Sequence, residues 1–261
     1  MSAQQPRCLV FLNQKGGVGK TTSAVNVAHA LVRSGHRVLG LDLDPQGHFA
    51  ASMGIEGLDP GLDDVFFNGV AINDRAQQAR DGLLLVPPGP RLPEVEQMSG
   101  GRERGWILAN ALEQIGGGFD FVIIDCPPSS GLLAINALLA TDDVIMPVSC
   151  DYLALEGLAG LMRTLMRVEQ GLHISRNKFV LVTRFNGQRR LPREVRGKLE
   201  EYFPGQVLRT AIRDNVSLAE APGFGQTVFE YRADSNGAKD YAALAEDIRH
   251  RRVLEPAEVN G

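Results

Sequence analysis

Nine consecutive residues carry the strongest chemical signal in the chain: Gln14-Lys15-Gly16-Gly17-Val18-Gly19-Lys20-Thr21-Thr22. Three glycines free the backbone to curl with its N–H groups turned inward, and a helical pattern begins directly afterwards. Donors at a helix N-terminus hold phosphate, because unpaired N–H groups and the helix dipole both favour an anion there. The common phosphate loop reads G-x-x-x-x-G-K-[ST]. Gly19, Lys20 and Thr21 supply its last three fixed positions, while Gln14 stands in place of the first glycine. Gly16 and Gly17 are expected to restore the missing freedom, since glycine takes φ > 0 without strain. Lys20 is predicted to reach the β- and γ-phosphates and the Thr21 hydroxyl to ligate Mg²⁺. Val18 and Thr22 complete the cradle. Lys15 has no packing use in such a loop, so its charge calls for an anion, on the chain's own nucleotide or on one held by a facing subunit. A glycine-rich turn entering a helix would be the structural explanation. The strand before the loop and the helix after it are what make the motif specific.

Two strand ends add carboxylates. Leu39-Gly40-Leu41-Asp42-Leu43-Asp44-Pro45-Gln46-Gly47 puts Asp42 and Asp44 where a strand leaves a sheet, and Pro45 favours an extended Asp44 and ends the strand. Phe121-Val122-Ile123-Ile124-Asp125 is an apolar run closing on one acid, the form of a Walker-B strand. Its carboxylate would hold Mg²⁺ directly or through water. Either aspartate alone could be a turn former. Together with the glycine loop at one sheet edge, Asp44 and Asp125 read as the metal and hydrolysis groups.

The elements that must position these groups alternate. Strands are predicted over 8–13, 37–42, 83–86, 119–125, 144–148, 178–184 and 206–210. Helices are predicted over 20–34, 104–115, 131–140, 153–170, 192–202 and 238–250. Several strands are apolar throughout, as in a parallel sheet covered on both faces. The alternation implies right-handed crossovers and an α/β doubly wound, mostly parallel sheet with helices on both faces, binding its ligand at the strands' carboxyl ends. The stretch 87–105, rich in Pro, Gly and charge, reads as a surface excursion. The whole chain, 1–261, reads as one domain with loose tails at about 1–6 and 254–261.

Composition is that of an ordinary globular protein, with 44% apolar and 22% charged residues. No run approaches the length of a membrane span, and the N-terminus lacks a signal-peptide core and cleavage site. Cys8, Cys126 and Cys150 are odd in number and far apart, which indicates neither a disulfide framework nor a zinc knuckle. They read as small buried hydrophobes in a reducing cytosol. The net charge is −4, yet residues 184–213 hold eight basic residues against three acidic ones. Such a cluster is either a solvated helix face or an anion-binding surface.

These residues resemble the ParA/MinD family of deviant Walker-A ATPases, and most closely its short ParA (Soj) branch of chromosome and plasmid partitioning ATPases. The stretches that carry the resemblance are 13–22, Asp42-Leu43-Asp44-Pro45-Gln46-Gly47, Ile124-Asp125-Cys126-Pro127-Pro128-Ser129, Ala154-Leu155-Glu156-Gly157-Leu158 and Glu220-Ala221-Pro222. The resemblance implies a P-loop NTPase fold with ATP and Mg²⁺ as cofactors, and an ATP-dependent sandwich homodimer in which Lys15 crosses to the partner's phosphates. It implies that Asp44 orients the attacking water and Asp125 supports Mg²⁺. It also implies slow ATP hydrolysis stimulated by a ParB-like activating protein, and non-specific DNA binding in the ATP state. The protein would then be cytoplasmic, associated with the nucleoid when ATP is bound, and would partition or position a chromosome, plasmid or large assembly. The DNA contacts expected from the basic region are Arg189, Arg190, Arg193 and Arg213. Place in the fold assigns Arg184 and Arg213 to the adenine side.

Three departures from the family pattern stand out. Asn186-Gly187-Gln188-Arg189-Arg190-Leu191 and Ile212-Arg213-Asp214-Asn215 shift their arginines by one position, and Asp151 replaces a glutamate. No helix-turn-helix precedes the first predicted strand, so specific operator binding is not expected. A MinD-like membrane switch is the alternative. It needs a C-terminal amphipathic helix, whereas Arg249-His250-Arg251-Arg252-Val253-Leu254-Glu255-Pro256 offers two large apolar residues before a proline. A metal-cluster carrier would need paired cysteines, which the sequence does not supply.

Overall fold

Seven strands form one sheet in the computed structural model, which describes residues 5–56, 59–151 and 154–255. They are β1 (Arg7–Phe11), β2 (Val38–Asp42), β3 (Gln77–Arg80), β4 (Leu83–Val86), β5 (Phe121–Asp125), β6 (Asp143–Ser149) and β7 (Asn177–Thr183). Their order is β3-β4-β2-β5-β1-β6-β7, all parallel except the β3–β4 pair. Among the described residues ten α-helices accompany them: α1 (Lys20–Arg33), α2 (His48–Ser52), α3 (Leu62–Asn68), α4 (Ile107–Glu113), α5 (Leu132–Leu139), α6 (Ala154–Leu172), α7 (Arg190–Tyr202), α8 (Val216–Glu220), α9 (Val228–Tyr231) and α10 (Asn236–His250). The doubly wound, mostly parallel α/β architecture is the one the strand–helix alternation implies.

The apolar strands explain the two cores. Leu9, Phe11, Ile123, Leu83 and Leu85 point to the face covered by α1, α2 and α10, while Val10, Leu39, Leu41, Val122 and Ile124 point to the opposite face. Successive side chains alternate, so a strand with no polar residue must be covered twice. Each such buried Val, Leu or Ile contributes about 1.5–3 kcal/mol. Gly40 interrupts β2 for a steric reason: a Cβ there would lie 3.0 Å from both Leu85 Cδ1 and Phe49 Cζ.

The sheet order produces the crevice. From β1 the chain passes through α1 to β2 on one side of β5, and from β5 it passes through α5 to β6 on the far side of β1. The carboxyl ends of β1 and β5 therefore flank the point where the winding reverses, the place where open α/β sheets bind ligands. Register does the rest. Phe11 pairs with Asp125, and Asp42 pairs with Asp125 from the other side.

Several expectations need correction. The predicted strand 206–210 makes only isolated bridges, Val180 to Val207 and Leu208 to Val253. Its pairing stops because the Thr210 N–H is taken by the Asp247 carboxylate at 2.8 Å. The polar edge strand β3 was not foreseen, since Gln-Gln-Ala-Arg has no apolar alternation. The helix expected over 104–115 starts as a 3₁₀ segment, Arg102–Trp106, whose Gly105 packs close against α5. The excursion 87–105 is anchored, with Leu92 and Val95 fully buried. Of the expected tails, Pro6 is buried and the Leu254 N–H donates to Val207 O at 2.8 Å. Residues 1–4 and 256–261, like Leu153 of the predicted helix 153–170, lie outside the described residues. Among the described residues no helix is long and apolar enough to cross a membrane.

Candidate functional site

The glycine loop runs from the end of β1 into α1. Gly17 and Gly19 have φ of +72° and +91°, where an L side chain would be strained, whereas Gly16 does not need that region. The freedom that replaces the missing first glycine thus sits at Gly17 and Gly19, a correction to the expected Gly16–Gly17 pair. Asn13 braces the entry: its Nδ2 donates to Pro147 O at 2.7 Å and its Oδ1 accepts from the Lys15 N–H at 2.9 Å. Thr183, at the end of β7, braces the exit by donating to Val18 O at 2.8 Å. Gly19 is the N-cap of α1 and no side chain caps it. By contrast α8, α9 and α10 are capped by Asn215, Thr227 and Ser235.

Three carboxylates converge beside this loop. Asp42 and Asp125 are fully buried and Asp44 is nearly so. Asp42 is committed to structure, since it accepts from the Ala50 N–H at 2.9 Å and from the Asp44 N–H at 3.3 Å, pinning the turn after β2. Asp44 Oδ1 accepts from the Gln46 N–H at 3.0 Å. Asp125 accepts one bond, from the Thr21 hydroxyl at 2.6 Å, and its other oxygen, Oδ1, is buried with no hydrogen-bond partner. Burial pushes the Asp125 carboxyl up to about 7, with the Asp44 charge adding to it and the Thr21 bond and Lys20 opposing. Burial and the Asp125 charge likewise raise Asp42 well above the usual carboxylate range. An orphaned acid oxygen next to a threonine hydroxyl and another carboxylate is a donor set suited to a hard divalent cation, which takes oxygen ligands.

A cleft of about 460 Å³ opens over the loop. Gly17–Thr22 form one wall, and Thr183, Arg184, Ile212, Arg213, Asn215 and Tyr241 contribute to the other. Both predicted base-side arginines line it. Arg184 sits at φ +50° just past β7. Arg213 is clamped by Asp240, with bonds of 3.0–3.1 Å from Nε and 2.6 Å from Nη2. Tyr241 Oη lies 3.0 Å from Ser23 Oγ, tying α10 to α1. Thr183, Asn215, Tyr241 and Asp240 were not singled out from the sequence as site residues. Tyr241 was legible only as one position of an apolar helix face. Lys20 is buried against this cleft, so its ammonium has an anion's place to fill.

Lys15 points elsewhere. Its Nζ donates to Asp151 Oδ2 at 2.6 Å, and Asp151 also accepts from Ser149 Oγ at 2.7 Å. Both partners of the ion pair are nearly half exposed. Gln14 is exposed at the loop's outer edge, beside Ser129 and Ser130.

The rest of the basic region lies outside the cleft lining. Arg189, Arg190, Arg193 and Lys198 stand exposed on and before α7. Arg190 is paired with Glu194 at 2.6 Å and Arg196 with Glu200 at 3.1 Å, each one helical turn away. Arg196 also stacks over Phe185. The structure therefore splits the four expected DNA contacts: Arg189, the N-cap of α7, stands with Arg190 and Arg193 of that helix, whereas Arg213 belongs to the cleft wall. The cysteines are all buried, and burial lifts Cys8 to about 12, Cys150 to about 11 and Cys126 well above the usual thiol range, so they stay thiols. Among the described residues no group of His, Cys, Asp and Glu has the geometry of a dedicated metal cage.

Comparison with known proteins gives relatives along nearly the full length. A family model described as an AAA domain matches residues 6–178. The chain is 39% identical over 246 residues to the chromosome-partitioning ATPase Soj of Thermus thermophilus, covering 94% of this chain and 96% of that one. It is 36% identical over 253 residues to the chromosome partitioning protein ParA of Myxococcus xanthus, covering 94% and 88%. Among solved structures, cobyrinic acid a,c-diamide synthase from Mycobacterium smegmatis with bound ADP and magnesium superposes with a TM-score of 0.80 at 30% identity, covering 96% of this chain and 98% of that one.

Proposed function

The chain belongs to the ParA/Soj family of partitioning ATPases, and from that premise we propose that it is an ATP-hydrolysing switch that dimerises around ATP, binds DNA without sequence preference and is reset by an activating partner. The observation that carries the reading is the pairing of Thr21 with Asp125 under the glycine loop, with Asp125 Oδ1 buried and unpartnered. Relatives of this fold bind ADP and magnesium, as in the Mycobacterium smegmatis protein, and the residues here suit the same pair.

Each residue then has a task. The N–H groups of the loop and the uncapped start of α1 hold the phosphates, and Lys20 neutralises them from within the cleft. Thr21 and Asp125 hold Mg²⁺, with Asp44 close by; the bound ion neutralises charge on the phosphate oxygens. Asp44, kept in place by the Gln46 N–H, orients the attacking water. Arg184 and the Asp240-clamped Arg213 face the base side. Lys15 acts on the facing subunit's nucleotide, as an arginine finger does in trans, a contribution on the order of 10³–10⁵ in rate among GTPases. To do so it must leave Asp151. That exposed pair holds it by roughly 1 kcal/mol or less, which a phosphate can outbid.

DNA binding is assigned to Arg189, at the N-cap of α7, and to Arg190 and Arg193 in its first turns. The MinD-like membrane reading draws little support from the described C-terminal residues. Arg251 pairs with the buried Asp143, Val253 bridges to Leu208, and Leu254 bonds to Val207. The test is binding to random-sequence duplex DNA with ATP, with ADP and without nucleotide, across a salt series. The expected result is ATP-dependent binding that falls steeply with salt. Equal binding in all three states would sink the switch.

A further inference from the structure

Behind the far wall of the cleft lies a carboxylate committed to one residue. Asp240, near the start of α10, has a side chain only 10% exposed. It accepts from the Arg213 backbone N–H at 3.0 Å, from Nε at 3.0 and 3.1 Å and from Nη2 at 2.6 Å. Among the described residues no other group donates to it. An acid near a helix start gains from the dipole wherever it points, but that gain neither buries the group nor selects a partner. Asp240 fixes the backbone and the side chain of Arg213 together. The segment is held from its other side too, since Arg213 bridges to Phe185 and the Asp214 N–H donates to Phe185 O at 3.2 Å.

This grip leaves one edge of the guanidinium available. The group is planar, with five N–H donors in a rigid fork and no acceptor. Nε and Nη2 face Asp240, whereas Nη1 has no acceptor among the described residues. Arg213 nevertheless lines the cleft, with nearly half its side chain exposed. The next residue of α10, Tyr241, reaches the opposite wall, its Oη 3.0 Å from Ser23 Oγ of α1. Two neighbouring residues of α10 therefore brace both sides of the cleft.

Building on the nucleotide reading of the cleft, we propose that Asp240 is a positioning residue that turns Arg213 toward the ribose and base of the nucleotide and away from its phosphates. The phosphates are held at the Gly17–Thr22 wall, so the nucleoside half meets the far wall, where Leu218 and Ala219 accompany Arg213. Ring nitrogens and ribose hydroxyls are acceptors that a donor-only guanidinium can serve. Charge decides the orientation. A bare guanidinium is drawn to phosphate, whose oxygens match its fork. Paired with Asp240 it is neutral in sum, and its free N–H groups suit a neutral acceptor. The pairing also orders a long side chain during folding, so that binding does not have to.

Titration of the full chain with ATP and with inorganic tripolyphosphate, both with Mg²⁺, separates the two halves of the ligand. Asp240→Ala should weaken ATP by about tenfold, the scale of one hydrogen bond from a charged donor. Tripolyphosphate should bind that variant as tightly as before or more tightly, because Arg213 regains its full charge. Asp240→Asn removes the charge but keeps the shape, and it carries the same expectation should the alanine variant fail to fold. Arg213→Ala should weaken ATP to a similar degree and leave tripolyphosphate unchanged. The double variant should lose no more than either single one, since Asp240 acts through Arg213. Unchanged or tighter ATP binding on loss of Asp240, an equal loss of both ligands, or additive losses in the double variant overturns the proposal. Lys20→Ala, by contrast, should lose both ligands. A wild-type chain that binds neither removes the nucleotide reading itself, and the role of Asp240 with it.

Discussion

The carboxyl edge of β1, β2 and β5 and the outer face of α7 both concentrate charge, but by opposite means. At the edge, Asp42 and Asp125 are fully buried and aligned across the sheet by backbone register. Their positions cannot drift without slipping a strand whose every side chain is packed. On α7 the arginines are exposed, and Arg190 is held only by an i,i+4 pair with Glu194 that solvent screens. Buried charge is costly unless it serves or is served, so the edge announces chemistry by itself. Exposed charge costs little, so α7 acquires meaning only from what it meets.

The largest effect should come from the edge. Lys20→Ala leaves the phosphates facing a cleft with no interior cation, and nucleotide binding is expected to vanish in titration of the purified variant. Unchanged ATP affinity would remove the glycine loop from the site. Asp44→Ala should retain ATP binding yet lose turnover by about two orders of magnitude or more, the scale of losing a group that positions the nucleophile. A variant that turns over normally would transfer that task to another residue. Lys15→Ala should lose turnover comparably while binding ATP as one chain does, because its ammonium lies on Asp151 and not in its own cleft.

The same contrast explains what the sequence made legible. β4 appears at its predicted bounds and β5 ends where expected, on Asp125, because an apolar run ending in an acid has few alternatives. The glycine loop and its two aspartates were readable because their residue types are forced by steric and electrostatic need. The cleft's far wall was not. Thr183, Asn215 and Tyr241 come from three distant segments, and their types serve equally well in a turn, a cap or a core. The edge strand β3 was missed because an edge needs no apolar alternation. The strand expected over 206–210 failed on a tertiary event, the capture of Thr210 by Asp247.

On α7 a smaller effect is expected. Replacing Arg189 and Arg190 with alanine should weaken DNA binding and lower the slope of log affinity against log salt by about one per lost phosphate contact, with ATP turnover intact. The measurement is a salt series on random duplex. An unchanged slope would make α7 a solvated face and nothing more, which would end the comparison in favour of the edge alone.

The smallest effect tests the edge through protons. Asp125 has a folded-state value near 7 against an ordinary 3.8, with burial as the main cause. Between those values the metal-free folded chain holds a proton that the unfolded chain lacks, so this group favours folding at low pH and that contribution is lost as pH rises through 7. A cation at Asp125 requires the ionised carboxylate. Below pH 7 the proton must leave first, and apparent Mg²⁺ affinity should fall by up to about tenfold per pH unit, or about 1.4 kcal/mol. Above pH 7 the ion instead relieves a buried charge. The rise in melting temperature on adding Mg²⁺ should therefore be greater at pH 8 than at pH 6, by a few degrees at about 2–4 °C per kcal/mol. Asp125→Asn cannot ionise, and it should show a smaller rise that no longer depends on pH. If the wild-type rise is equal at both pH values, the cation is held without Asp125, and burial at the edge would serve packing where it was taken to serve chemistry.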